Sequence, residues 1–191
     1  ENIKKLDAIL VTHSHRDHIA GLDDVRSFNY LTKKPMDIYA TDYDQEEIKR
    51  EFSYAFKNNY PSLPKYNLIS IDNKEFSING VKIIPIEALH FNIEVRGFRI
   101  GDFAYITDTN DIPPETLAKI VDCKVVVLNA VRHRPHPSHF SLGEAVKVLE
   151  FVNPERAFIT HISHIMGKHN DVSCELPHFI NLAHDGLKIE M

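Results

Sequence analysis

Short apolar runs alternate with amphipathic segments along this chain, and their spacing predicts both strands and helices. Helical patterns occur at about 18–31, after Thr41 and Asp42, where Ile48 and Phe52 begin an apolar face, and after Ser141. Runs rich in β-branched residues predict strands at 6–12, 36–40, 66–71, 75–78, 81–89, 95–100, 103–107, 125–128, 156–160 and 187–191. This alternation predicts an α/β layered architecture.

Local signals indicate how some of these elements connect. Asn79-Gly80 is the dipeptide typical of a two-residue hairpin turn, and Gly101-Asp102 predicts a second hairpin. Ser141 and Glu144 have the spacing of a capping box, which predicts that a helix begins there.

Composition narrows the class of protein. The 191 residues, 43% hydrophobic and 26% charged, suit one globular domain spanning 1–191. A net charge of -5 makes nucleic acid an unfavoured partner. Two cysteines form no disulfide framework, which favours the cytoplasm, and neither a membrane-spanning run nor a signal-peptide pattern occurs.

Histidine is the outlier, with 12 copies that are grouped along the chain. The segment His13-Ser14-His15-Arg16-Asp17-His18 places three imidazoles and a carboxylate directly after the first predicted strand. Nitrogen and oxygen ligands suit Zn²⁺, Mn²⁺ and Fe. Four ligands so close in sequence cannot easily all point at one ion, so two ions that borrow further ligands from elsewhere are expected.

Three other ligand-type residues follow predicted strands: His90 follows 81–89, Asp108 follows 103–107 and His161 follows 156–160. Strand ends and their loops are where α/β folds assemble sites, because a rigid sheet holds loops that are free to vary. The sequence therefore predicts a metal site at these strand ends, suited to metal-assisted hydrolysis.

The His-x-His-x-Asp-His motif, followed in order by His90, Asp108 and His161, resembles the signature of the metallo-β-lactamase superfamily. That resemblance implies a four-layer αββα sandwich. It also implies that Asp108 bridges two ions. The first ion would be held by His13, His15, His90 and Asp108, and the second by Asp17, His18, Asp108 and His161.

A narrower resemblance covers most of the chain. The motifs Ile106-Thr107-Asp108-Thr109, Leu128-Asn129-Ala130, Ser138-His139-Phe140-Ser141-Leu142, Thr160-His161-Ile162-Ser163-His164 and Leu182-Ala183-His184-Asp185-Gly186-Leu187 are similar to the phosphoribosyl cyclic phosphodiesterase group of the carbon–phosphorus lyase pathway. This implies hydrolysis of 5-phosphoribosyl 1,2-cyclic phosphate to ribose 1,5-bisphosphate.

The same resemblance implies individual roles. His139 would lie at the substrate phosphate and assist catalysis, and His164 would bind an additional structural zinc with cysteines of an N-terminal segment. Members of the group carry that segment before their counterpart of 6–12. We therefore expect the sheet to lack its first strands and His164 to lack its thiolate partners.

The mechanism expected for two ions is attack on phosphorus by a metal-bridging hydroxide. His139 would donate to the leaving oxygen, and Asp17 would orient the hydroxide. Arg132, Arg134 and His136 are candidates for a second phosphate, although a solvated loop would explain them too.

Several alternatives stay open at this stage. A nuclease of the same fold, of the type that processes tRNA 3′ ends, shares the metal motif, and so does a thiolesterase of the glyoxalase type. A non-catalytic metal-binding remnant is a further hypothesis. A β-lactamase is less favoured because Asp17 beside His18 suits a dinuclear phosphodiesterase. The sequence does not indicate an oligomeric state, but a homodimer is one hypothesis, since members of the group often dimerise and missing first strands would expose a sheet edge.

Overall fold

The computed structural model describes residues 3–57 and 60–191, and the chain divides into two compact units, Glu1–Val81 and Lys82–Met191. The first unit contains a parallel sheet in the order β1-β2-β3. Its elements are β1 (Ile9–Leu10), α1 (Arg16–Ile19), a 3₁₀ segment (Ala20–Val25), α2 (Arg26–Thr32), β2 (Met36–Ala40), α3 (Asp42–Glu51), α4 (Ser53–Lys57), β3 (Tyr66–Ser70) and β4 (Phe76–Ile78).

Helix α3 shows how local signals and burial act together in the first unit. The Thr41 hydroxyl caps the helix by accepting from the Asp44 backbone N–H at 3.2 Å. Ile48 is fully buried and packs in a cluster that includes Ile38 of β2. The predicted single helix is interrupted at Phe52, where φ is -101° and ψ is 33°, so two shorter helices form.

The second unit is built on strands in the order β10-β9-β8-β7-β6-β5. Strands β7, β8, β9 and β10 run parallel to one another, whereas β6 is antiparallel to both β5 and β7. Its elements are β5 (Val81–His90), which begins at the unit boundary, β6 (Ile93–Ile100), β7 (Phe103–Ile106), α5 (Pro114–Leu117), a 3₁₀ segment (Ala118–Ile120), β8 (Val125–Asn129), α6 (Leu142–Val152), β9 (Arg156–Thr160), α7 (His169–Ser173) and β10 (Ile180–Leu182).

Both predicted hairpin turns are confirmed. Asn79 and Gly80, with φ of 49° and 82°, join β4 to β5, as a two-residue turn with two left-handed residues requires. Gly101, with φ of 58°, turns the chain between β6 and β7. Gly97 lies within β6, where a Cβ atom would come 2.8 Å from the carbonyl oxygen of Tyr105, so only glycine allows this strand approach.

The expected strand at 187–191 is wrong. The last strand is β10, which pairs in parallel with β9, and no strand lies at 187–191. Leu187 and Ile189 instead pack against a cluster containing Val127 and Phe158. The alternation of apolar and polar residues at 187–191 therefore reflects packing of every second side chain on a sheet face. This pattern has the same two-residue period as a strand.

The helices of the molecule are short, and α6 has 11 residues. Within residues 3–57 and 60–191, none of them combines the length and apolar character that crossing a bilayer would require.

The predicted capping box at the start of α6 is present. The Glu144 carboxylate accepts hydrogen bonds from the Ser141 backbone N–H at 2.8 Å and from the Ser141 hydroxyl at 2.6 Å. These bonds hold the pKa of Glu144 below its ordinary value. Because the folded-state pKa is lowered, the stabilisation is complete above the ordinary carboxyl pKa and is lost as pH falls through the lowered value.

We expect Glu144→Ala to lower the free energy of unfolding by about 1 kcal/mol at pH 7 and by less in acid. Urea unfolding at both pH values measures this, with the exposed Glu150→Ala of the same helix as control. An equal loss at both pH values would contradict a contribution from the ionised carboxylate.

Candidate metal centre

Three predicted ligands of the second unit lie at the ends of strands that run in the same direction. His90 is the last residue of β5, Asp108 follows β7 and His161 follows β9. Strand β5 is antiparallel to β6, which is antiparallel to β7, so the carboxyl ends of β5, β7 and β9 lie at the same edge. The sheet topology therefore brings residues far apart in sequence to one place.

The distances at this edge are those of a ligand cluster. Nδ1 of His161 lies 2.9 Å from Oδ1 of Asp108. Ligand atoms of His90, Asp108 and His139 all lie within 4.8 Å of one another. The ring of His139 is 4.6 Å from that of His90 and 5.0 Å from that of His161, measured between centroids. Three imidazoles thus surround one carboxylate.

The backbone is strained at two of these positions. Asp108 and His161 have φ of 53° and 55°, in the left-handed region that few residues other than glycine adopt. Such a conformation costs on the order of 1–3 kcal/mol and tends to persist at functional sites, where surrounding contacts enforce it. Both strained residues lie just after a strand, in the turn that directs the side chain toward the cluster.

Hydrogen bonds orient two of the side chains. Nδ1 of His90 lies 2.7 Å from the carbonyl oxygen of Ser138, which can only accept, so Nδ1 carries the proton and Nε2 is the nitrogen that could bind a cation. The Thr107 hydroxyl donates to Oδ1 of Asp108 at 2.9 Å. Outer contacts of this kind are what hold metal-ligating histidines and carboxylates in place.

His139 provides the test of whether these residues fit a cation. Its Nδ1 is buried and has no hydrogen-bond partner among the described residues. Burial, together with neighbouring histidines, lowers the pKa of His139 to about 4, against the opposing effect of Asp108. The ring is therefore neutral at pH 7. A neutral imidazole, an unsatisfied nitrogen and a nearby carboxylate form a donor set that fits a divalent cation.

The first unit holds the histidine-rich motif, which spans the loop after β1 and the start of α1. The ring of His13, which is buried, lies 4.7 Å from that of His15 and 4.3 Å from that of His18, between centroids. Oδ2 of Asp17 lies 3.2 Å from Nε2 of His18. The imidazoles of His13, His15 and His18 therefore lie close together within this unit. The division of all seven ligands between two ions stays a prediction.

The candidates for a second phosphate lie on the loop before His139. Nε of Arg132 donates to the carbonyl of Arg134 at 3.1 Å, and Nη2 of Arg132 donates to the carbonyl of Pro135 at 2.7 Å. The Arg132 guanidinium therefore stabilises the conformation of its own loop. The ring of His136 lies 5.0 Å from that of His139. Of the candidates, His136 is therefore the one that the structure places beside the cluster.

His164 is exposed, three residues after His161. Among the described residues, the clusters of side chains that could together hold a metal ion do not include His164. Its role in a structural zinc site stays a prediction.

Sequence reasoning assigned no role to two sets of residues near the cluster. Thr109 and Asn129 are fully buried polar residues next to the cluster, and the sequence indicates them only as members of two motifs. A cavity of about 270 Å³ beside His161 is lined in part by His184 and Asp185. The His184-Asp185-Gly186 sequence was the available signal, but a turn explained it equally well.

Comparison with known proteins decides the family. A family model described as "Beta-lactamase superfamily domain" matches residues 1–162. The chain belongs to this superfamily. The matched residues include the whole histidine-rich motif, Asp108 and His161, so the family prediction is confirmed.

A solved structure places the chain more narrowly within the superfamily. The crystal structure of a new diphosphatase from the PhnP family superposes with a TM-score of 0.90 and 36% identity, covering 99% of this chain and 73% of that chain. The chain accordingly has the metallo-β-lactamase fold and is a PhnP-like hydrolase domain, and the predicted α/β fold class is confirmed. Zn²⁺-bound PqqB from Methylobacterium extorquens shares the fold, with a TM-score of 0.75 and 17% identity over 100% of this chain and 77% of its own.

One curated relative is a much longer protein. An octanoyltransferase from Porphyromonas gingivalis (strain ATCC BAA-308 / W83) is 32% identical over 190 residues, which is 97% of this chain and 38% of that protein. The chain thus spans well under half of that relative's length. Most of the octanoyltransferase lies outside the match, so its activity is not carried over to this chain.

Proposed function

We propose that this domain is a metal-dependent phosphodiesterase that hydrolyses a small cyclic phosphate, with 5-phosphoribosyl 1,2-cyclic phosphate as substrate and ribose 1,5-bisphosphate as product. The observation that carries the proposal is the cluster of His90, Asp108, His139 and His161 at one edge of the second sheet. Similarity to the diphosphatase of the PhnP family supports phosphate chemistry.

The proposed cofactors are two divalent ions, Zn²⁺ or Mn²⁺, with Fe as a further possibility. When bound, they would activate water and neutralise negative charge that develops on the phosphoryl group. The proposed ligands are the seven residues of the sequence prediction, namely His13, His15, Asp17, His18, His90, Asp108 and His161.

The protein's own groups account for the orientation. The bond from His90 to Ser138 fixes the imidazole tautomer, and the bond from Thr107 to Asp108 fixes the carboxylate. His139, which stands between His90 and His161, is the proposed donor to a phosphoryl or leaving oxygen. A neutral imidazole still carries one N–H for this purpose. His136, beside it, is proposed to contact a second phosphate of the substrate.

The test is turnover of synthetic 5-phosphoribosyl 1,2-cyclic phosphate by protein reconstituted with Zn²⁺ or Mn²⁺. Formation of ribose 1,5-bisphosphate, abolished by a chelator and restored by the metal, is the expected result. Bis(p-nitrophenyl) phosphate serves as a generic diester. Cleavage of the generic diester without turnover of the ribose cyclic phosphate would support the proposed phosphodiesterase activity and contradict the proposed substrate.

One observation favours a nuclease as the second candidate. The first unit contains a cleft of about 730 Å³ whose lining includes four cationic side chains, Arg26, Lys33, Lys34 and Lys65. Cationic side chains bind phosphate backbones, although the net charge of -5 opposes broad nucleic-acid binding. Arg26 is also within 3.7 Å of the Asp23 carboxylate, which reduces its availability.

A precursor tRNA assay distinguishes the two candidates. If the protein cuts precursor tRNA, and if the double variant Lys33→Ala/Lys34→Ala slows that cleavage but leaves diester hydrolysis unchanged, the nuclease is favoured. We expect no precursor cleavage. Protein that binds metal but hydrolyses neither substrate would support the non-catalytic alternative.

A further inference from the structure

Two buried polar residues beside the cluster bind each other through both ends of a side-chain amide. The backbone N–H of Thr109 donates to Oδ1 of Asn129 at 2.9 Å, and Nδ2 of Asn129 donates to the carbonyl of Thr109 at 3.0 Å. Both residues have no exposed surface. Thr109 directly follows Asp108, so the amide clamps the turn that gives Asp108 its strained backbone.

The Thr109–Asn129 pair also contacts the segments of His90 and His139. The Thr109 hydroxyl lies 2.8 Å from the carbonyl oxygen of Leu89, the residue before His90. The Thr109 carbonyl accepts a second bond, at 2.8 Å, from the N–H of Phe140, the residue after His139. The side chain and the backbone of one threonine thus hold two separate histidine-bearing segments.

The fourth segment is held through strand pairing. Asn129 is the register partner of Thr160, and the Ala130 N–H donates to the Thr160 carbonyl at 3.0 Å. Thr160 is the residue before His161. Each of the four cluster residues therefore has a sequence neighbour in this network. That neighbour either hydrogen-bonds to Thr109, Asn129 or Ala130 or is paired with one of them in the sheet.

We propose that the Thr109–Asn129 pair is a positioning element that holds His90, Asp108, His139 and His161 at ligand distance in the metal-free protein; this inference rests on the proposed function of the same cluster. An asparagine amide offers one acceptor and two donors at fixed geometry, which matches both backbone groups of Thr109. A site with its ligands already in place loses less free energy to ordering when it binds. These residues would act through the ligands and would not touch the substrate.

The test compares zinc affinity, measured by competition with a chelator, across matched variants. Asn129→Ala and Thr109→Val should weaken zinc binding about 10- to 100-fold, the loss typical of outer-shell partners. Thr109→Ser keeps the hydroxyl and should restore affinity to within about 3-fold of the parent. Val126→Ala, a fully buried position in the same strand, controls for general destabilisation.

Thermal unfolding of the metal-free variants separates positioning from stability. Val126→Ala should lower the unfolding temperature while leaving zinc affinity near that of the parent, since a core truncation acts through packing. Equal zinc affinities for Thr109→Val, Thr109→Ser and Val126→Ala would overturn the proposal, and this comparison stands even if Asn129→Ala does not fold. A parent protein that binds no zinc would overturn it as well. A parent that binds zinc with the predicted variant pattern, but cleaves no phosphodiester, would reject only the proposed function.

Discussion

Asp108→Asn is expected to abolish metal binding at the cluster and to lower phosphodiesterase activity by more than about 100-fold. Loss of a residue that only hydrogen-bonds to a metal ligand already lowers affinity or activity by up to about 100-fold. The substitution removes the carboxylate charge that the ions require. Asparagine tolerates the left-handed backbone that Asp108 adopts, with φ of 53°, so the turn should be preserved. Elemental analysis and the diester assay measure the two effects.

The matched control for this prediction is Asp111→Asn, an exposed carboxylate in the same loop. Its backbone, which bonds to Leu89, is unchanged by the substitution. We expect this variant to keep metal content and rate close to those of the parent. Full metal content and full activity in Asp108→Asn would refute the assignment of Asp108 as a bridging ligand.

His139→Ala is expected to lower the rate of diester hydrolysis about 10²- to 10⁴-fold, the range typical of a positioned proton donor or acceptor. The ring lies between His90 and His161, and its Nδ1 is buried without a partner among the described residues. Steady-state kinetics with the reconstituted variant measures the loss. The exposed His178→Ala should behave like the parent.

Metal content of the same variant distinguishes two roles for this histidine. If His139 acts on the substrate, His139→Ala should retain the metal of the parent while losing activity. If metal content falls in parallel with rate, His139 is a ligand, as the closeness of its ligand atom to those of His90 and Asp108 would allow. Unchanged activity would remove His139 from the mechanism altogether.

Much of the fold followed from local sequence. The Asn79-Gly80 turn, the Gly101-Asp102 turn and the Ser141–Glu144 capping box formed where expected, because each depends on residues within a few positions of one another. The strand ends at His90, Asp108 and His161 were also located correctly.

Errors arose where distant contacts decide local structure. The alternation at 187–191 has the period of a strand, yet Leu187 and Ile189 pack on a sheet face, while Ile180–Leu182 pairs with β9. The helix expected to continue past Phe52 breaks there, although its apolar spacing continues. Neither outcome depends on propensity alone, since tertiary packing overrides weak local preferences.

The candidate site divides in the same way. The choice of candidate ligands followed from the sequence itself, because imidazole and carboxylate groups at strand ends carry their chemistry wherever they lie. Which of the 12 histidines meet was decided only in three dimensions. Strand order and register place Asn129 against Thr109. Loop hydrogen bonds, from His90 to Ser138 and from Phe140 to Thr109, hold His139 beside His90 and His161. These neighbouring residues are 20 to 49 positions apart along the chain, and only the packed sheet, whose register buries one face of each strand, specifies which segments come together.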